Sequence, residues 1–302
     1  MLDVCLAGTS GMVPLKDRWL TTLYASSDGH AVLIDSGEGT QVALAAAGCH
    51  VKRIDAICIT HYHLDHIGGI AGLLLAMGNA GRTEPVDIIG PPGLVEVLKG
   101  LLIIAVPPFD VTCYQVVGSD EVICRAGKIE IRAFSADHVV PCLGYTLTLP
   151  RKPKFDPEKA RENDIPIEAW SLLQKGDSVK IGDRIVDPSL VLGEERKGLK
   201  LLYSTDTRPT DTIVEMGKGA DLMILEGEYG TTDKIDRAIK WGHMTFPEAA
   251  ELAKRSGAKE LWLTHFSQSM PDPEEYLENA AAIFPNTVIG YDGIRKTLAF
   301  ED

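Results

Sequence analysis

The sequence predicts a four-layer α/β sandwich, in which two β-sheets pack face to face and helices cover their outer surfaces. Two observations predict this fold class. Strand-like and helix-like segments alternate in both halves of the chain, and the middle of the chain has the pattern of an antiparallel meander. The chain has 302 residues, of which 45% are hydrophobic, and that is enough for one large domain of this kind.

The first half of the chain consists of short apolar segments separated by flexible turns. Gly8 and Gly11 follow the first strand, Asp28-Gly29 marks a hairpin, and Gly48 ends the first helix. We predict strands at residues 2–7, 21–26, 31–35, 54–59 and 86–89, and helices at residues 40–47, 67–77 and 94–104.

The second half repeats the alternation after the meander. One helix has a clear start, because Thr245 is followed by Pro247, which is tolerated in a first turn, and by Glu248 at the third helical position. We predict two or three strands between residues 111 and 134, further strands at residues 201–205, 222–225 and 260–264, and helices at residues 210–216, from residue 245 and at residues 273–283.

We interpret residues 1–302 as a single domain that carries a charged surface insertion at about residues 150–198, because this segment has no core pattern of its own. Residues 151–200 contain 11 Lys and Arg and 10 Asp and Glu, and they open with the basic cluster Arg151-Lys152-Pro153-Lys154. A local phosphate contact and a solvated surface segment both account for these charges, so both interpretations stay open.

Composition excludes several classes of protein. The net charge of −13 argues against a surface that binds nucleic acid everywhere. No segment approaches the roughly 20 apolar residues of a membrane span, and the N-terminus lacks the basic and apolar regions of a signal peptide. The six cysteines are scattered without a C-x-x-C pair, as is typical of reduced core thiols. We therefore expect a cytoplasmic protein without membrane contact.

Residues 60–66 contain four side chains that can bind metal, directly after an apolar strand. His61 and His63 are two residues apart and project to one side of an extended backbone, whereas Asp65 and His66 are adjacent and can reach a second point. The chain has only eight histidines, so three within six positions indicate a shared role. Imidazole and carboxylate ligands without a thiolate pair favour two divalent ions, with zinc as the expected metal.

Further candidate ligands follow other predicted strands. His138, Asp206 and His265 each stand just beyond an apolar strand, and a common rim of strand ends would bring them to the first cluster. His243 precedes the helix that starts near residue 245. His30 and His50 have no such context, and we interpret them as surface residues.

A wider set of motifs accompanies these candidates. It comprises residues 34–41, the cluster at 60–66, His138 with Gly144-Tyr145, and residues 203–209, 242–245 and 263–265. Together these motifs resemble the metallo-β-lactamase superfamily, and they are most similar to its ribonuclease Z family, the endonucleases that trim tRNA 3′ ends. The resemblance covers nearly the whole chain and implies the four-layer αββα sandwich of that superfamily.

The resemblance also implies a role for each candidate. His243 would act in catalysis close to the scissile phosphate; the alternative is that it only orients a carboxylate. Asp65 would serve both as a ligand and as a catalytic residue, and Lys16, Arg18 and Arg208 would contact substrate phosphates. The resemblance implies a first zinc held by His61, His63 and His138, a second held by Asp65, His66 and His265, and Asp206 bridging both.

The implied function is a zinc-dependent phosphodiesterase that cleaves the 3′ trailers of tRNA precursors endonucleolytically, using a hydroxide held between the two metals. The family also implies a homodimer. Three departures from the family pattern keep the substrate open: Leu64 replaces a glycine, residues 267–270 (Ser-Gln-Ser-Met) lack a basic residue of the family pattern, and residues 167–170 (Ile-Glu-Ala-Trp) replace a Gly-Pro pair in the insertion.

Two alternatives therefore remain. A hydrolase of the same fold could act on a small phosphodiester, a cyclic nucleotide or another ester. A non-catalytic RNA-binding protein could use the ions structurally, in which case the coordination would be closed, without an open position for water.

Overall fold

Seven strands form the first β-sheet of the structure, a computed structural model that describes residues 1–117 and 119–301. The four strands at one end of this sheet are antiparallel, and those at the other end are parallel, as expected where helical crossovers connect them. The strands are β1 (Leu2–Gly8), β2 (Thr22–Ser27), β3 (His30–Ile34), β4 (Ile54–Cys58), β5 (Val86–Gly90), β6 (Val111–Gln115) and the late strand β16 (Ile294–Leu298), in the order β16-β1-β2-β3-β4-β5-β6.

The second sheet also has seven strands. Its antiparallel part is the predicted meander, and its other strands run parallel. These strands are β7 (Ser119–Ala126), β8 (Ile129–Ala136), β9 (Cys142–Arg151), β12 (Arg196–Ser204), β13 (Leu222–Glu226), β14 (Leu261–Thr264) and β15 (Thr287–Ile289), in the order β15-β14-β13-β12-β9-β8-β7, while β10 (Val179–Ile181) and β11 (Arg184–Val186) form a separate hairpin.

Helices cover both sheets and complete the predicted sandwich. One hydrophobic core includes Leu44 and Leu74 from helices beside the first sheet, and a second includes Ile213 and Leu252 from helices beside the second sheet. The helices are α1 (Thr40–Ala46), α2 (Leu64–Ile67), α3 (Ile70–Asn79), α4 (Leu94–Leu101), α5 (Pro157–Glu162), α6 (Ile167–Lys175), α7 (Asp211–Met216), α8 (Ile235–Trp241), α9 (Phe246–Ser256) and α10 (Leu277–Ala281). The predicted fold class is confirmed.

The helix predicted at residues 67–77 is wrong at its start. The structure has two helices there, and the first, α2, already begins at Leu64 inside the histidine motif. The break falls at Gly69, where an added Cβ would meet the backbone oxygen of Gly37 at 1.9 Å. This close approach of two loops requires glycine. As a consequence, Asp65 and His66 project from a helical turn.

The start predicted for α9 is confirmed. Thr245 is the N-cap, the first turn contains Pro247, and the Glu248 carboxylate accepts hydrogen bonds from the backbone N–H and hydroxyl of Thr245, both at 2.9 Å. This cap fixes the chain direction immediately after His243, so local sequence chemistry determines the position of a candidate catalytic residue.

A second compact unit is formed by Pro150–Gly198 with the chain from Phe300 onward. The prediction that this segment has no core pattern of its own is wrong. Its apolar residues are few and spread over short elements, so they show no periodicity in the sequence. The interpretation of residues 1–302 as one domain with an insertion stays a prediction. The buried side chains of this unit are Ala160, Ile165, Ala169, Leu173, Val186 and Val191.

All six cysteines are free thiols. Across residues 1–117 and 119–301, no helix has both the length and the apolar character needed to cross a bilayer. The cytoplasmic location stays a prediction.

Candidate metal centre

The ends of several strands bring the candidate ligands together. Asp206 follows β12 and His265 follows β14, which are both members of the parallel part of the second sheet and therefore end at the same edge. The Tyr145 hydroxyl in β9 donates a 2.7 Å hydrogen bond to the carbonyl of Ile59, just beyond β4, and so ties the histidine motif to the second sheet. The rim of strand ends predicted from the sequence is present.

Two of these strand-end residues have a left-handed backbone. The φ angles are 52° at Asp206 and 58° at His265, a region that is uncommon for residues other than glycine. Backbone strain of this kind persists where the surrounding structure holds it, and it concentrates at functional sites. Here it turns both side chains from the sheet edge toward a common point.

The first ligand group consists of His61, His63, His138 and Asp206, whose ligand atoms all lie within 4.8 Å of one another. His61 Nε2 is 3.7 Å and His138 Nε2 is 3.9 Å from Asp206 Oδ2. His63 Nδ1 is 3.5 Å from His138 Nε2. These separations leave room for one ion among the four groups.

The second ligand group consists of Asp65, His66 and His265, again with ligand atoms within 4.8 Å of one another. Asp65 Oδ2 is 3.3 Å from His66 Nε2 and 3.6 Å from His265 Nε2. The two Nε2 atoms are also 3.3 Å and 3.1 Å from Asp206 Oδ1.

Asp206 therefore faces both groups, with one oxygen toward each. Oδ2 lies beside the imidazoles of the first group and Oδ1 beside those of the second. A carboxylate in this position can bridge two ions. The arrangement is the one implied for Asp206 by the family resemblance.

Buried polar atoms indicate that the cluster is built for cations. His61 Nε2 and Asp206 Oδ1 are buried without a hydrogen-bond partner in the described structure. Such atoms carry a desolvation cost unless a ligand engages them. Imidazole and carboxylate donors of this kind suit a divalent metal, so the residues present fit a dinuclear site.

The opposite ring nitrogens of the ligands contact further groups, which fix the ring orientations. Asp35 accepts from His66 Nδ1 at 2.8 Å, the carbonyl of Gly242 accepts from His138 Nδ1 at 3.0 Å, and Glu228 Oε2 lies 3.4 Å from His265 Nδ1. Such partners orient a metal-binding imidazole and raise its basicity. No motif in the sequence indicates a role for Asp35 or Glu228, although each stands just beyond the end of a buried strand.

The pKa shifts reflect the close packing of carboxylates and imidazoles in the cluster. Burial disfavours protonation of His66, but the charges of Asp206, Asp35 and Asp65 outweigh it and raise the pKa of His66 to about 10. Burial would raise the pKa of Asp206, but the surrounding imidazoles, His265 first, hold it well below its usual range. The buried carboxylates therefore favour positive charge at their neighbours. By contrast, burial lowers the pKa of His61, which keeps its imidazole neutral, as ligation requires.

His243 stands beside the ligand groups and is held by Glu226. Its Nδ1 lies 3.2 Å from Glu226 Oε2 and 3.3 Å from Oε1, and the fully buried carboxylate also accepts from the backbone N–H groups of Thr207 and Met244 at 2.6 and 3.0 Å. Burial disfavours the imidazolium, but Glu226 and Asp206 outweigh burial and raise the pKa of His243 to about 9. Because Nδ1 is engaged, Nε2 is the nitrogen that His243 offers to the adjoining cavity.

The cavity over the cluster has a volume of about 560 Å³. It is lined by candidates from both groups, by His243 and by Glu228. His63 and Asp65 are only half-buried, so the cluster is open on this side. A substrate can therefore approach the ligand atoms directly.

The candidate phosphate contacts lie elsewhere or are already engaged. Arg18 donates to the carbonyls of Met270 and Pro271, the second at 2.7 Å. Arg208 pairs with Glu248 and also donates to the carbonyl of His243. Lys16 is exposed. Their role as phosphate contacts stays a prediction.

The two remaining histidines lie on the surface, as predicted. His30 is exposed and its Nδ1 lies 2.6 Å from Asp55, while His50 is exposed. Neither belongs to a ligand group among the described residues.

Replacement of Glu228 by Ala is expected to lower the affinity of the second ligand group for a divalent ion by about 10- to 100-fold, because His265 loses the carboxylate beside its Nδ1. Isothermal titration of the metal-free protein with Zn²⁺ measures this. Glu251→Ala removes an exposed carboxylate from α9 and is the matched control. Equal zinc affinity for Glu228→Ala and the wild type would show that Glu228 does not support the site.

The chain is similar to known proteins over most of its length. The model of the metallo-β-lactamase superfamily matches residues 20–244. The chain is 51% identical over 302 residues to a ribonuclease Z of Lachnoclostridium phytofermentans, covering 100% of this chain and 99% of the relative. It is 48% identical over 303 residues to a ribonuclease Z of Agathobacter rectalis, covering 100% of both chains. A solved structure of human tRNase Z, short form, shares the fold, with a TM-score of 0.71, 22% identity and coverage of 99% of this chain and 100% of that one.

Proposed function

Since the chain belongs to the metallo-β-lactamase superfamily and, within it, to the ribonuclease Z family, we propose that it is a zinc-dependent endoribonuclease that removes 3′ trailers from tRNA precursors. Members of this family are metal-dependent hydrolases, and the chain is one of them. The observation that carries the proposal is the position of Asp206, with one oxygen toward each of two ligand groups on the floor of an open cavity.

In this proposal the two ligand groups hold one ion each. Asp65 is then both a ligand and a catalytic residue, because it fixes the second ion against the substrate. Two bound divalent ions would lower the pKa of a water molecule between them and offset the charge that develops on the phosphate oxygens. His61, His63 and His138 would hold the first ion, Asp65, His66 and His265 would hold the second, and Asp206 could serve both.

His243 supplies the proton that the leaving ribose oxygen needs. Glu226 orients the imidazole through Nδ1, so Nε2 is directed to the cavity in which the phosphodiester binds. Arg208 donates to the carbonyl of His243 and holds its backbone in place. A positioned acid of this kind contributes about 10²- to 10⁴-fold to the rate.

A small phosphodiester remains the second candidate substrate. It is favoured by the net charge of −13 and by the protein contacts that already engage Arg18 and Arg208. The third candidate, a structural metal in a non-catalytic RNA-binding protein, requires closed coordination. The half-buried His63 and Asp65 at the cavity argue against it.

Inhibition separates the two substrates. If RNA is the substrate, a 3′-extended tRNA precursor competitively inhibits turnover of bis-p-nitrophenyl phosphate by the zinc-loaded protein. Its inhibition constant then rises by about 10³-fold or more between 50 and 200 mM salt, provided that the protein contacts six or more phosphates. Failure of the precursor to inhibit, with turnover of the small ester intact, would overturn the RNA proposal in favour of the small phosphodiester.

We also propose that the chain forms a homodimer, as its family resemblance implies. An apolar segment after α4 supports this, because Ile103 and Ile104 are 80% and 87% exposed and Val106 is 80% exposed. Exposed apolar patches mark association surfaces.

Ile104→Asp is accordingly expected to shift the protein from dimer to monomer in analytical ultracentrifugation. The control is Ile185→Asp, which changes an exposed isoleucine of the second compact unit. A wild-type monomer at micromolar concentration would contradict the dimer, and an unchanged Ile104→Asp dimer would place its interface elsewhere.

A further inference from the structure

Four exposed apolar side chains line the cavity over the ligand groups, and their arrangement has no part in the proposed chemistry. They are called the apolar rim here and consist of Met12, Leu64, Val139 and Trp241, of which Leu64 is 72% and Trp241 52% exposed. Side chains of this type usually pack inside a protein. Where several face one cavity, they mark a surface that a ligand covers.

Each member of the apolar rim is tied to the metal centre by the backbone. Leu64 directly precedes Asp65, and Val139 directly follows His138. The backbone N–H of Met12 donates to Asp65 Oδ2 at 2.8 Å. The rim therefore has a fixed position relative to the ligand atoms, as a binding surface for a substrate must have.

Trp241 is an exposed aromatic residue at the cavity. It ends α8, and the following Gly242 turns the chain with a φ of 72°. The carbonyl of Gly242 accepts from His138 Nδ1 at 3.0 Å, and the backbone N–H of His243 donates to Ala238 at 2.9 Å. The backbone that follows Trp241 is thus held beside a candidate ligand and leads into the candidate acid.

The apolar rim is chemically suited to bind one part of a phosphodiester substrate. Apolar and aromatic side chains do not bind phosphate, which the ligand groups would take. They suit the base and ribose of a nucleoside, since every base has a face that stacks on an aromatic ring. Lys240 Nζ lies over one face of the Trp241 ring, 5.0 Å from its centroid, so a base would stack on the other face.

We propose that the apolar rim is the binding site for the nucleoside next to the scissile phosphate, with its base stacked on Trp241. The inference rests on the proposed function. It identifies a substrate-binding surface that the sequence motifs did not reveal. Leu64, which replaces the glycine of the family pattern, becomes part of this surface.

The test uses the zinc-loaded full chain and two tRNA precursors, one intact and one with abasic nucleotides on both sides of the scissile phosphate. For the intact precursor, Trp241→Ala is expected to raise KM by about 5- to 150-fold with little change in kcat, because stacking binds the substrate before and during reaction. For Trp241→Phe, KM is expected to stay close to the wild-type value, because phenylalanine keeps an aromatic face for stacking. Replacing the intact precursor by the abasic one is expected to raise KM for the wild type. It is not expected to raise the KM of Trp241→Ala further, because this variant has already lost the same stacking contact.

Ile239→Ala is the matched control, because Ile239 is an exposed apolar residue of the same helix that does not line the cavity, and it leaves KM unchanged. If the wild type cleaves the precursor and Trp241→Ala has the same KM, the inference is overturned and the proposed function stands. If the abasic precursor raises KM by the same factor for the wild type and for Trp241→Ala, the nucleoside binds elsewhere and the inference is also overturned. Absence of cleavage by the wild type would overturn both proposals.

Discussion

Replacement of Asp206 by Asn is expected to reduce turnover of bis-p-nitrophenyl phosphate by about 10³-fold or more and to lower the metal content. The reason is geometric. Asp206 is buried and directs one oxygen to each ligand group, so a neutral amide weakens both positions at once. Turnover measured together with metal analysis by mass spectrometry tests this.

The matched control is Asp137→Asn, which changes an exposed carboxylate beside His138 and is expected to keep both metal content and activity. Circular dichroism establishes that Asp206→Asn is folded. A folded Asp206→Asn protein with wild-type metal content and turnover would rule out a bridging role for Asp206.

Replacement of His243 by Ala is expected to slow RNA cleavage by about 10²- to 10⁴-fold. Hydrolysis of bis-p-nitrophenyl phosphate is expected to fall far less, because p-nitrophenolate leaves without a proton whereas a ribose oxygen needs one. The comparison of the two substrates under single-turnover conditions therefore isolates the proton-donating role of His243.

His50→Ala removes an exposed histidine and serves as the control, with both rates unchanged. An equal loss on both substrates in His243→Ala would argue for the alternative role of His243, which is to orient the buried carboxylates Asp206 and Glu226. The Glu226→Gln variant extends the comparison. It keeps the shape of the side chain and is expected to slow RNA cleavage in the same substrate-dependent way.

The sequence predicted the fold class and the candidate ligands for physical reasons that the structure makes explicit. Parallel strands end at one edge of a sheet, so Asp206 and His265 meet although 59 residues separate them along the chain. The histidine motif begins directly after β4, and its local spacing already indicates two metal positions. Patterns of this kind depend on strand period and strand direction, which the sequence encodes.

Contacts between distant elements could not be predicted in the same way. Asp35 meets His66, and Glu228 meets His265, only after the loops have folded, and no spacing rule connects either pair. The role of Glu226 becomes visible only in its contact with His243.

Two further features depended on tertiary structure. The break between α2 and α3 lies where Gly69 closely approaches the backbone of Gly37, and the core of the second compact unit is too small to give a period. Arg208, for which the family resemblance implies a phosphate contact, pairs with Glu248 in the fold, and its role at a phosphate stays a prediction.

The most direct test of the central claim is the product of one reaction. Zinc-loaded protein is incubated with a 3′-extended tRNA precursor, and the cleavage site and end groups are mapped. We expect a single cut after the discriminator base, which leaves a 3′-hydroxyl on the tRNA and a 5′-phosphate on the trailer, and no cut with Asp206→Asn. An intact precursor in the presence of zinc-loaded protein that turns over bis-p-nitrophenyl phosphate would contradict the claim.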